Sequence, residues 1–263
     1  MKNHISAVII CMNAVDTIRK AIFSLQDLTA DIIVSDSGST DGTIQVIKDT
    51  GVTTIEREWK GYGANKNAAG ALARHDWLLS LDADEYVLPA FSRFLQALDL
   101  QDPHKVYQFK RLNFLGDTPI RYGEWSKDKV TRLFNRTVAA WDDAPVHEQL
   151  KQILQSDRII VVKTEAVICH RTAPDIATYR AKIKKYAVLM ADKYFMQGKK
   201  ISPVKLYLSP LFNFLQNYFL RLGLLDGKAG FEIAVAHAGY TFHKYRLLSA
   251  LYKKNPNGKN QLQ

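Results

Sequence analysis

The chain has 263 residues, of which 47% are hydrophobic, and a formal net charge of +10. This composition excludes bulk disorder, and the length suits one large domain or a domain with an appendage. The charge is uneven, because residues 177–263 hold 15 Lys and Arg against three acids whereas residues 1–176 hold 21 against 23. A basic segment of this kind indicates a surface that meets phosphate, in nucleic acid or anionic lipid, or a solvated helical face.

No targeting or membrane-spanning segment is predicted. The apolar run at residues 7–11 is too short for the core of a signal peptide. The most apolar later stretch, residues 206–225, is interrupted by Pro210 and by several polar residues. Cys11 and Cys169 each lie in an apolar run and fit no metal-binding spacing, so we expect reduced core thiols and a cytoplasmic protein.

Strands and helices alternate through the first 82 residues. The predicted strands are residues 5–11, 32–34, 52–57 and 77–81, and the predicted helices are residues 14–25, 43–49 and 64–73. We take Asn13 as the N-cap of the first helix, and Ser39 or Thr40 as the cap of the second. The βαβαβαβ order predicts an α/β fold with a doubly wound, mostly parallel sheet and right-handed crossovers.

Carboxylates follow two of these strands. Asp36 ends the second strand, and Asp82, Asp84 and Glu85 end the strand that begins at Trp77. Ligands of open α/β sheets bind outside the carboxyl ends of the strands. Asp82 and Asp84 point to the same side of an extended segment and offer the hard oxygen ligands that Mg²⁺ or Mn²⁺ prefers. An isolated D-x-D is also compatible with a polar strand end that runs into a turn.

Two common nucleotide motifs are absent. No G-x-G-x-x-G follows the first strand, where Met12 and Asn13 stand instead, and no G-x-x-x-x-G-K-[ST] occurs. The sequence therefore argues against a nicotinamide, flavin or P-loop enzyme. The remaining possibility is a nucleotide held by carboxylates, with Asp36 accepting from a base or ribose and Asp84 reaching a diphosphate through a metal.

The second half of the chain contributes further candidates. Trp125 lies in a loop where it stacks on a sugar or base, or anchors its own loop. Arg132 binds phosphate or pairs with an acid, and His170 completes a metal shell, contacts a diphosphate or is a satisfied strand-end histidine. The predicted elements of this half are a helix at 89–98, strands at 106–115, 129–136 and 161–169, and helices at 175–197, 204–222 and 231–252.

The chain resembles family 2 inverting glycosyltransferases of the GT-A fold in six segments that occur in the family's order, AVIICMN, VSDSGSTDGT, GYGANKN, LSLDADE, TRLF and VHEQL. The resemblance covers residues 5–175. It is closest to the bacterial branch that includes lipopolysaccharide core β-glucosyltransferases, which the tail segment GLLDGKAGF also resembles. The resemblance implies a GT-A sheet with a C-terminal helical extension.

The resemblance also implies roles for particular residues. Asp36 is the expected nucleoside contact, and Lys66 and Asn67 stand where the family has its donor-binding helix. Asp82 belongs to the D-x-D and Asp84 is the expected direct metal ligand. The candidates that complete the set are Asp82 and His170 as further metal ligands, Glu148 as the general base, and Arg132, His147 and Trp125 as phosphate or acceptor contacts.

Two departures from the family refine this expectation. Met12 replaces a polar or Tyr residue common in relatives, which leaves the base-stacking contact open, and the Q-x-x-R-W motif of processive polymerases is absent, which favours addition of a single hexose. The implied partners are a nucleotide sugar, for which we expect UDP as the carrier, a divalent cation (Mg²⁺ or Mn²⁺), a lipopolysaccharide-core or other lipid-linked acceptor, and an anionic membrane surface at the inner face of the cytoplasmic membrane, with no nucleic acid.

We expect a nucleotide-sugar half at residues 1–115, an acceptor-side half with the base at 116–176 and a basic helical extension at 177–263. Two other functions remain compatible with parts of the sequence. A non-enzymatic membrane- or nucleic-acid-binding protein accounts for the basic tail but not for carboxylates at two strand ends. A nucleotidyltransferase also uses paired acids and a divalent ion, but usually adds a glycine-rich, basic loop near the first strand, which residues 12–16 lack.

Overall fold

The computed structural model describes residues 4–142, 144, 148–154 and 158–255. The chain forms two compact units, one of Met1–Leu112 with Asp128–Arg171 and one of Asn113–Lys127 with Thr172–Gln263. The predicted division at residues 115 and 176 concerns donor and acceptor halves and stays a prediction.

Each predicted strand and helix is present in the predicted order, and the described residues form four short strands in addition. The strands are β1 Ile5–Cys11, β2 Ile32–Asp36, β3 Thr53–Glu56, β4 Trp77–Asp82, β5 Glu85–Val87, β6 Lys105–Leu115, β7 Thr118–Ile120, β8 Lys129–Asn135, β9 Ala139–Trp141, β10 Leu150–Gln152 and β11 Ile160–Ala173. The helices are α1 Ile18–Leu25, α2 Thr43–Lys48, α3 Tyr62–Gly70, α4 Pro89–Ala97, α5 Ile176–Met196, α6 Pro203–Leu215 and α7 Gly227–Lys254.

The main sheet has the strand order β3-β2-β1-β4-β8-β6-β11-β5. The first four of these strands are parallel to one another. The pairs β4 with β8, β8 with β6 and β11 with β5 are antiparallel. The predicted α/β, doubly wound GT-A sheet with a C-terminal helical extension is confirmed, and the antiparallel strands extend its parallel half.

Both faces of the sheet are buried at β1, β2 and β4, as a doubly wound sheet requires, whereas the edge strand β3 is partly exposed. Along β1 the side chains alternate, so that Ile5, Ala7 and Ile9 pack in one cluster with α1 and α4, while Val8 packs in another with α3. The largely apolar runs that predict these strands therefore reflect burial from two sides.

The loops at these strand ends differ in detail from the predicted caps. Asn13 has φ of +51° and its side-chain oxygen accepts from the backbone N–H of Thr40, at 2.9 Å, so it does not cap α1. Before α2, Asp41 accepts from the backbone N–H of Thr43 at 3.0 Å, where Ser39 or Thr40 was expected. Polar side chains thus join the loops after β1 and β2 to each other.

In the second unit, α5 and α7 pack around a small apolar cluster that includes Trp125, Tyr179 and Ile233. The three predicted C-terminal helices are confirmed as α5, α6 and α7. The helix predicted at 204–222 ends at Leu215 and continues as a π-helical turn, Gln216–Leu220, and α7 begins four residues before its predicted start. Within the described residues, no helix combines the length and hydropathy needed to cross a membrane.

Candidate active site

The strand register brings the predicted carboxylates to one edge of the sheet. Cys11 at the end of β1 pairs with Asp36 on β2, and its neighbour Ile10 pairs with Asp82 on β4. Asp36 and Asp82 therefore lie on the two strands that flank β1. This is the carboxyl edge at which open α/β sheets bind ligands.

Asp36 is fully buried and organises the loop that follows it. One carboxylate oxygen accepts from the backbone N–H groups of Gly38 and Ser39, at 2.9 and 2.8 Å. The other accepts from the Ser39 hydroxyl at 2.5 Å and from the Cys11 thiol at 3.3 Å. Burial, and then the Asp36 charge, raise the pKa of Cys11 well above its usual range, so this thiol stays protonated. The nucleoside contact predicted for Asp36 stays a prediction.

Asp82 lies between two cations. One oxygen is 3.1 Å from Lys66 Nζ and the other accepts from Arg132 Nη2. Burial opposes ionisation of Asp82, but the charges of Arg132, Lys66 and Arg111 outweigh it and hold the pKa of Asp82 well below its usual range. The first acid of the D-x-D is therefore a permanent carboxylate whose oxygens already engage the protein.

The two polar residues predicted for the donor-binding helix α3 make contacts within the protein. Lys66, with a side chain only 1% exposed, lies 2.6 Å from Glu148 Oε1 as well as close to Asp82. Asn67 exchanges two hydrogen bonds with the backbone of Trp141, at 2.8 and 3.0 Å. Helix α3 thus connects the D-x-D, the predicted base and β9, and the donor contacts predicted for Lys66 and Asn67 stay predictions.

The buried carboxylate of Glu85 pairs with Arg132 and Arg111. Glu85 accepts from Arg132 at 2.8 Å and from Arg111 at 2.9 Å, and its second oxygen accepts from the backbone N–H of Asp82 at 3.0 Å. Burial would lower the pKa of Arg132, but Asp82 and Glu85 raise it further above its usual range. Of the two roles open to Arg132, the structure shows pairing with acids, which fixes the direction of the Asp82 carboxylate.

Asp84, the predicted metal ligand, lies next to His170. Its Oδ2 atom is 3.3 Å from His170 Nε2, and β5 and β11 are paired at this point with His170 opposite Glu85. In the part of the chain that the structure describes, no three His, Cys, Asp or Glu side chains come together as a metal site. The Asp84 carboxylate is an oxygen donor of the kind that Mn²⁺ or Mg²⁺ prefers, and these ions complete their shell with water and phosphate oxygens.

Asp82 lines two cavities. One, of about 610 Å³, is lined by Asp84, Met12, Trp59 and Tyr62 among others. The second, of about 500 Å³, is lined by Glu148 and Arg132 among others. Asp82 is thus a lining residue of both cavities, with Asp84 beside one and Glu148 beside the other.

Two further sequence candidates are His147 and Trp125. His147 lies outside the described residues. Trp125 is buried in the second unit, where its indole N–H donates to the Tyr179 hydroxyl at 3.2 Å, so the ring anchors its own loop. Of the two roles open to Trp125, the structure shows the anchoring one.

Sequence reasoning missed Trp59 and Tyr62. Their rings lie 4.7 Å apart, edge to face, and each remains about two-fifths exposed in the cavity beside Asp84. Exposed aromatic rings on a concave surface are typical of sites that stack a base or sugar. The sequence signal for this pair is the two aromatic residues beside Gly61 and Gly63 in the segment WKGYG.

Comparison with known proteins identifies the family of the chain. The family described as Glycosyl transferase family 2 matches residues 6–149, more than half of the chain. The chain belongs to this family, and it is a glycosyltransferase that uses a nucleotide-sugar donor and a glycan acceptor.

Particular relatives are similar along nearly the whole chain. An uncharacterised glycosyltransferase of Rickettsia prowazekii is 28% identical over 96% of this chain and 89% of its own length. The lipopolysaccharide core biosynthesis glycosyltransferase LpsC of Rhizobium meliloti is 31% identical over 90% of this chain and 89% of its own length. Among solved structures, glucosyl-3-phosphoglycerate synthase of Mycobacterium tuberculosis with Mn²⁺, UDP and phosphoglyceric acid is 26% identical, with 41% of this chain and 43% of that chain covered and a TM-score of 0.36.

Proposed function

We propose that this glycosyltransferase moves a single hexose from a UDP-sugar to a lipopolysaccharide-core or other lipid-linked glycan, with inversion at the anomeric carbon. The observation that carries the proposal is the position of Asp82 between two cavities, with Asp84 in one and Glu148 in the other. An inverting displacement needs this separation, because the leaving group and the attacking hydroxyl lie on opposite sides of the sugar.

The cavity beside Asp84 suits the donor. Trp59 and Tyr62 offer exposed ring surface for the nucleobase, and Met12 offers its thioether. Asp36 shapes the adjoining loop. Asp84, with His170 beside it, would hold a divalent cation. When bound, Mg²⁺ or Mn²⁺ neutralises the charge that develops on the departing diphosphate.

The cavity beside Glu148 suits the acceptor. Glu148 takes the proton of the attacking hydroxyl as the acceptor oxygen bonds to the anomeric carbon and the bond to the diphosphate breaks. Lys66 orients this carboxylate, and Arg132 orients Asp82 beside it. We expect the sugar hydroxyls to lie between these fixed groups, where positioning lowers the barrier.

The acceptor assignment rests on the similarity to LpsC and on the basic C-terminal third of the chain. Residues 177–263 carry 15 Lys and Arg against three acids. A surface of this charge attracts the anionic leaflet of a membrane, by roughly 1 kcal/mol for each base near the surface. We propose a peripheral position at the inner face of the bacterial cytoplasmic membrane, where lipid-linked glycans are accessible.

A panel of nucleotide sugars with Mg²⁺ or Mn²⁺ and a lipopolysaccharide-core acceptor tests the proposal. Release of nucleoside diphosphate, with an inverted anomeric configuration in the product by NMR, is the expected result. Release of pyrophosphate would indicate a nucleotidyltransferase. Absence of any turnover, together with tight binding to nucleic acid, would indicate a binding protein.

A further inference from the structure

The exposed side of helix α6 is apolar. Its half-buried side is mixed, with Ser209 and Asn213 as polar residues and Leu206, Pro210 and Phe214 as apolar ones. The side that faces away from the protein carries only apolar and aromatic residues apart from Lys205; these outer residues are Val204, Tyr207, Leu208, Leu211, Phe212 and Leu215. A helix that faces water normally shows the opposite arrangement.

The apolar surface continues beyond α6. Phe219 and Leu220, in the π-helical turn, are exposed, and Leu220 is 73% accessible. The following turn adds Leu222, Leu224 and Leu225. Contiguous exposed apolar patches are uncommon on monomeric proteins and usually mark a contact with another molecule or a membrane.

The charges around this surface select the kind of partner. No acidic residue occurs between Asp192 and Asp226, whereas Lys199, Lys200 and Lys205 precede or enter α6. Two copies of this surface would bring like charges together, which disfavours self-association. An anionic lipid surface offers an apolar boundary for these side chains and negative charge for the lysines.

We propose that α6 lies in the plane of a lipid bilayer and inserts its outer apolar side at the headgroup boundary. Its 13 residues span only about 20 Å, which is shorter than the hydrocarbon core of about 30 Å. The proposal deepens the proposed membrane position by naming the inserted surface, and it rests on none of the catalytic assignments. Apolar insertion then supplies a part of the affinity that salt does not screen.

Vesicle co-sedimentation of the full chain separates the two contributions. With phosphatidylcholine vesicles that contain phosphatidylglycerol, binding should weaken at high salt but leave a salt-resistant part. The triple variant Leu208→Ser, Leu211→Ser and Phe212→Ser should lower the salt-resistant binding constant by about 100-fold or more, because three inserted apolar side chains are lost. A variant with Lys199, Lys200 and Lys205 changed to Gln should lose mainly the salt-sensitive part.

Leu72→Ser is the matched control, because Leu72 is also exposed but lies in the first unit. It should bind vesicles as the wild type does. Wild-type salt-resistant binding by the triple variant would overturn the proposal. So would a wild-type dimer in solution that the triple variant converts to a monomer while salt-resistant vesicle binding is unchanged.

A label provides a measurement that does not depend on removing the apolar side chains. The native cysteines, Cys11 and Cys169, are buried, so Leu208→Cys offers one accessible thiol for a polarity-sensitive fluorophore. Insertion predicts a blue shift on addition of vesicles, and an unchanged spectrum would contradict it. Transfer to a soluble acceptor fragment should continue in the triple variant, so loss of membrane insertion and loss of the catalytic proposal are distinguishable.

Discussion

Lys66 Nζ lies 2.6 Å from Glu148 Oε1, although 82 positions separate the two residues in the chain. The same ammonium group is 3.1 Å from Asp82. One buried cation therefore fixes the predicted base and the first acid of the D-x-D relative to each other. Their spacing, and with it the separation of the two cavities, depends on the packing of α3.

Replacing Glu148 by Gln keeps the shape of the side chain and removes its basicity. We expect turnover to fall by about 10²–10⁴-fold, the usual contribution of a general base, with little change in the Kd for UDP. Steady-state kinetics and calorimetric titration of UDP measure the two quantities. Glu56→Gln, at an exposed ion pair with Lys48, is the control and should leave both unchanged. An equal loss of UDP affinity would remove Glu148 from the role of base.

Asp84→Asn removes one charge and one oxygen ligand at the edge of the donor cavity. We expect most transfer activity to be lost, and the gain in UDP affinity that Mn²⁺ gives the wild type to disappear. Titrations of UDP with and without Mn²⁺ measure this gain. Asp76→Asn, at a surface pair with Arg136, should behave as the wild type. A full Mn²⁺ effect in Asp84→Asn would show that the cation is held elsewhere.

Lys66→Met leaves the carboxylates of Asp82 and Glu148 without the cation between them. We expect a loss of about 1–3 kcal/mol in the free energy of unfolding at pH 7, below the cost of breaking a fully buried pair because Asp82 is partly exposed. Urea unfolding measures it. Lys48→Met, at the exposed pair with Glu56, should cost less than about 1 kcal/mol. Equal effects would mean that the Lys66 pairs contribute no more than surface ones.

Gly63→Ala tests the packing of α3. A Cβ atom on Gly63 would lie 1.9 Å from the backbone oxygen of Asp142. The backbone N–H of Asp142 in turn donates to the carbonyl oxygen of Gln149, the residue after the predicted base. We expect the variant to lose about 1–3 kcal/mol of stability and to lose activity, because the segment that carries Glu148 must shift. In Gly239→Ala the added methyl group enters open space on α7, and a neutral or slightly stabilising effect is expected. Full activity in Gly63→Ala would contradict the proposed position of this segment.

The lowered pKa of His237 predicts how the stability of the second unit depends on pH. Burial, and then the charge of Arg221, lower the pKa of His237 to about 4 from a usual value of 6.5. Nε2 of His237 lies 2.9 Å from the Tyr179 hydroxyl, which itself accepts from Trp125, so the neutral imidazole accepts a hydrogen bond from the tyrosine O–H. The unfolded chain therefore binds a proton at higher pH than the folded one does.

The contribution of His237 to the free energy of unfolding is fully present above about pH 6.5. It is lost as the pH falls toward 4, by up to about 3 kcal/mol. Urea unfolding of the wild type and of His237→Phe at pH 7 and pH 4.5 measures it. The wild type should lose more stability than the variant on acidification. Equal losses would mean that His237 is protonated in the folded protein.

Local patterns determined much of the fold. The apolar runs at β1, β2 and β4 identify buried strands because burial on two faces favours apolar residues at successive positions, and the acids at the ends of β2 and β4 identify the strand ends. The order of these elements predicts the doubly wound sheet, since short connections and right-handed crossovers leave few alternatives. The position of the site at the carboxyl edge follows from the same order.

Only the tertiary structure decided the partners of the site residues. No local pattern pairs Lys66 with Glu148, or assigns Arg132 to Asp82 and Glu85, because these contacts join segments that are distant in the chain. Nor does hydropathy along the sequence tell which side of α6 faces outward, since an apolar side is usually buried. The sequence by itself determined the elements and the edge of the sheet that carries the acids; long-range packing determined which charges neutralise one another and which apolar surface stays exposed.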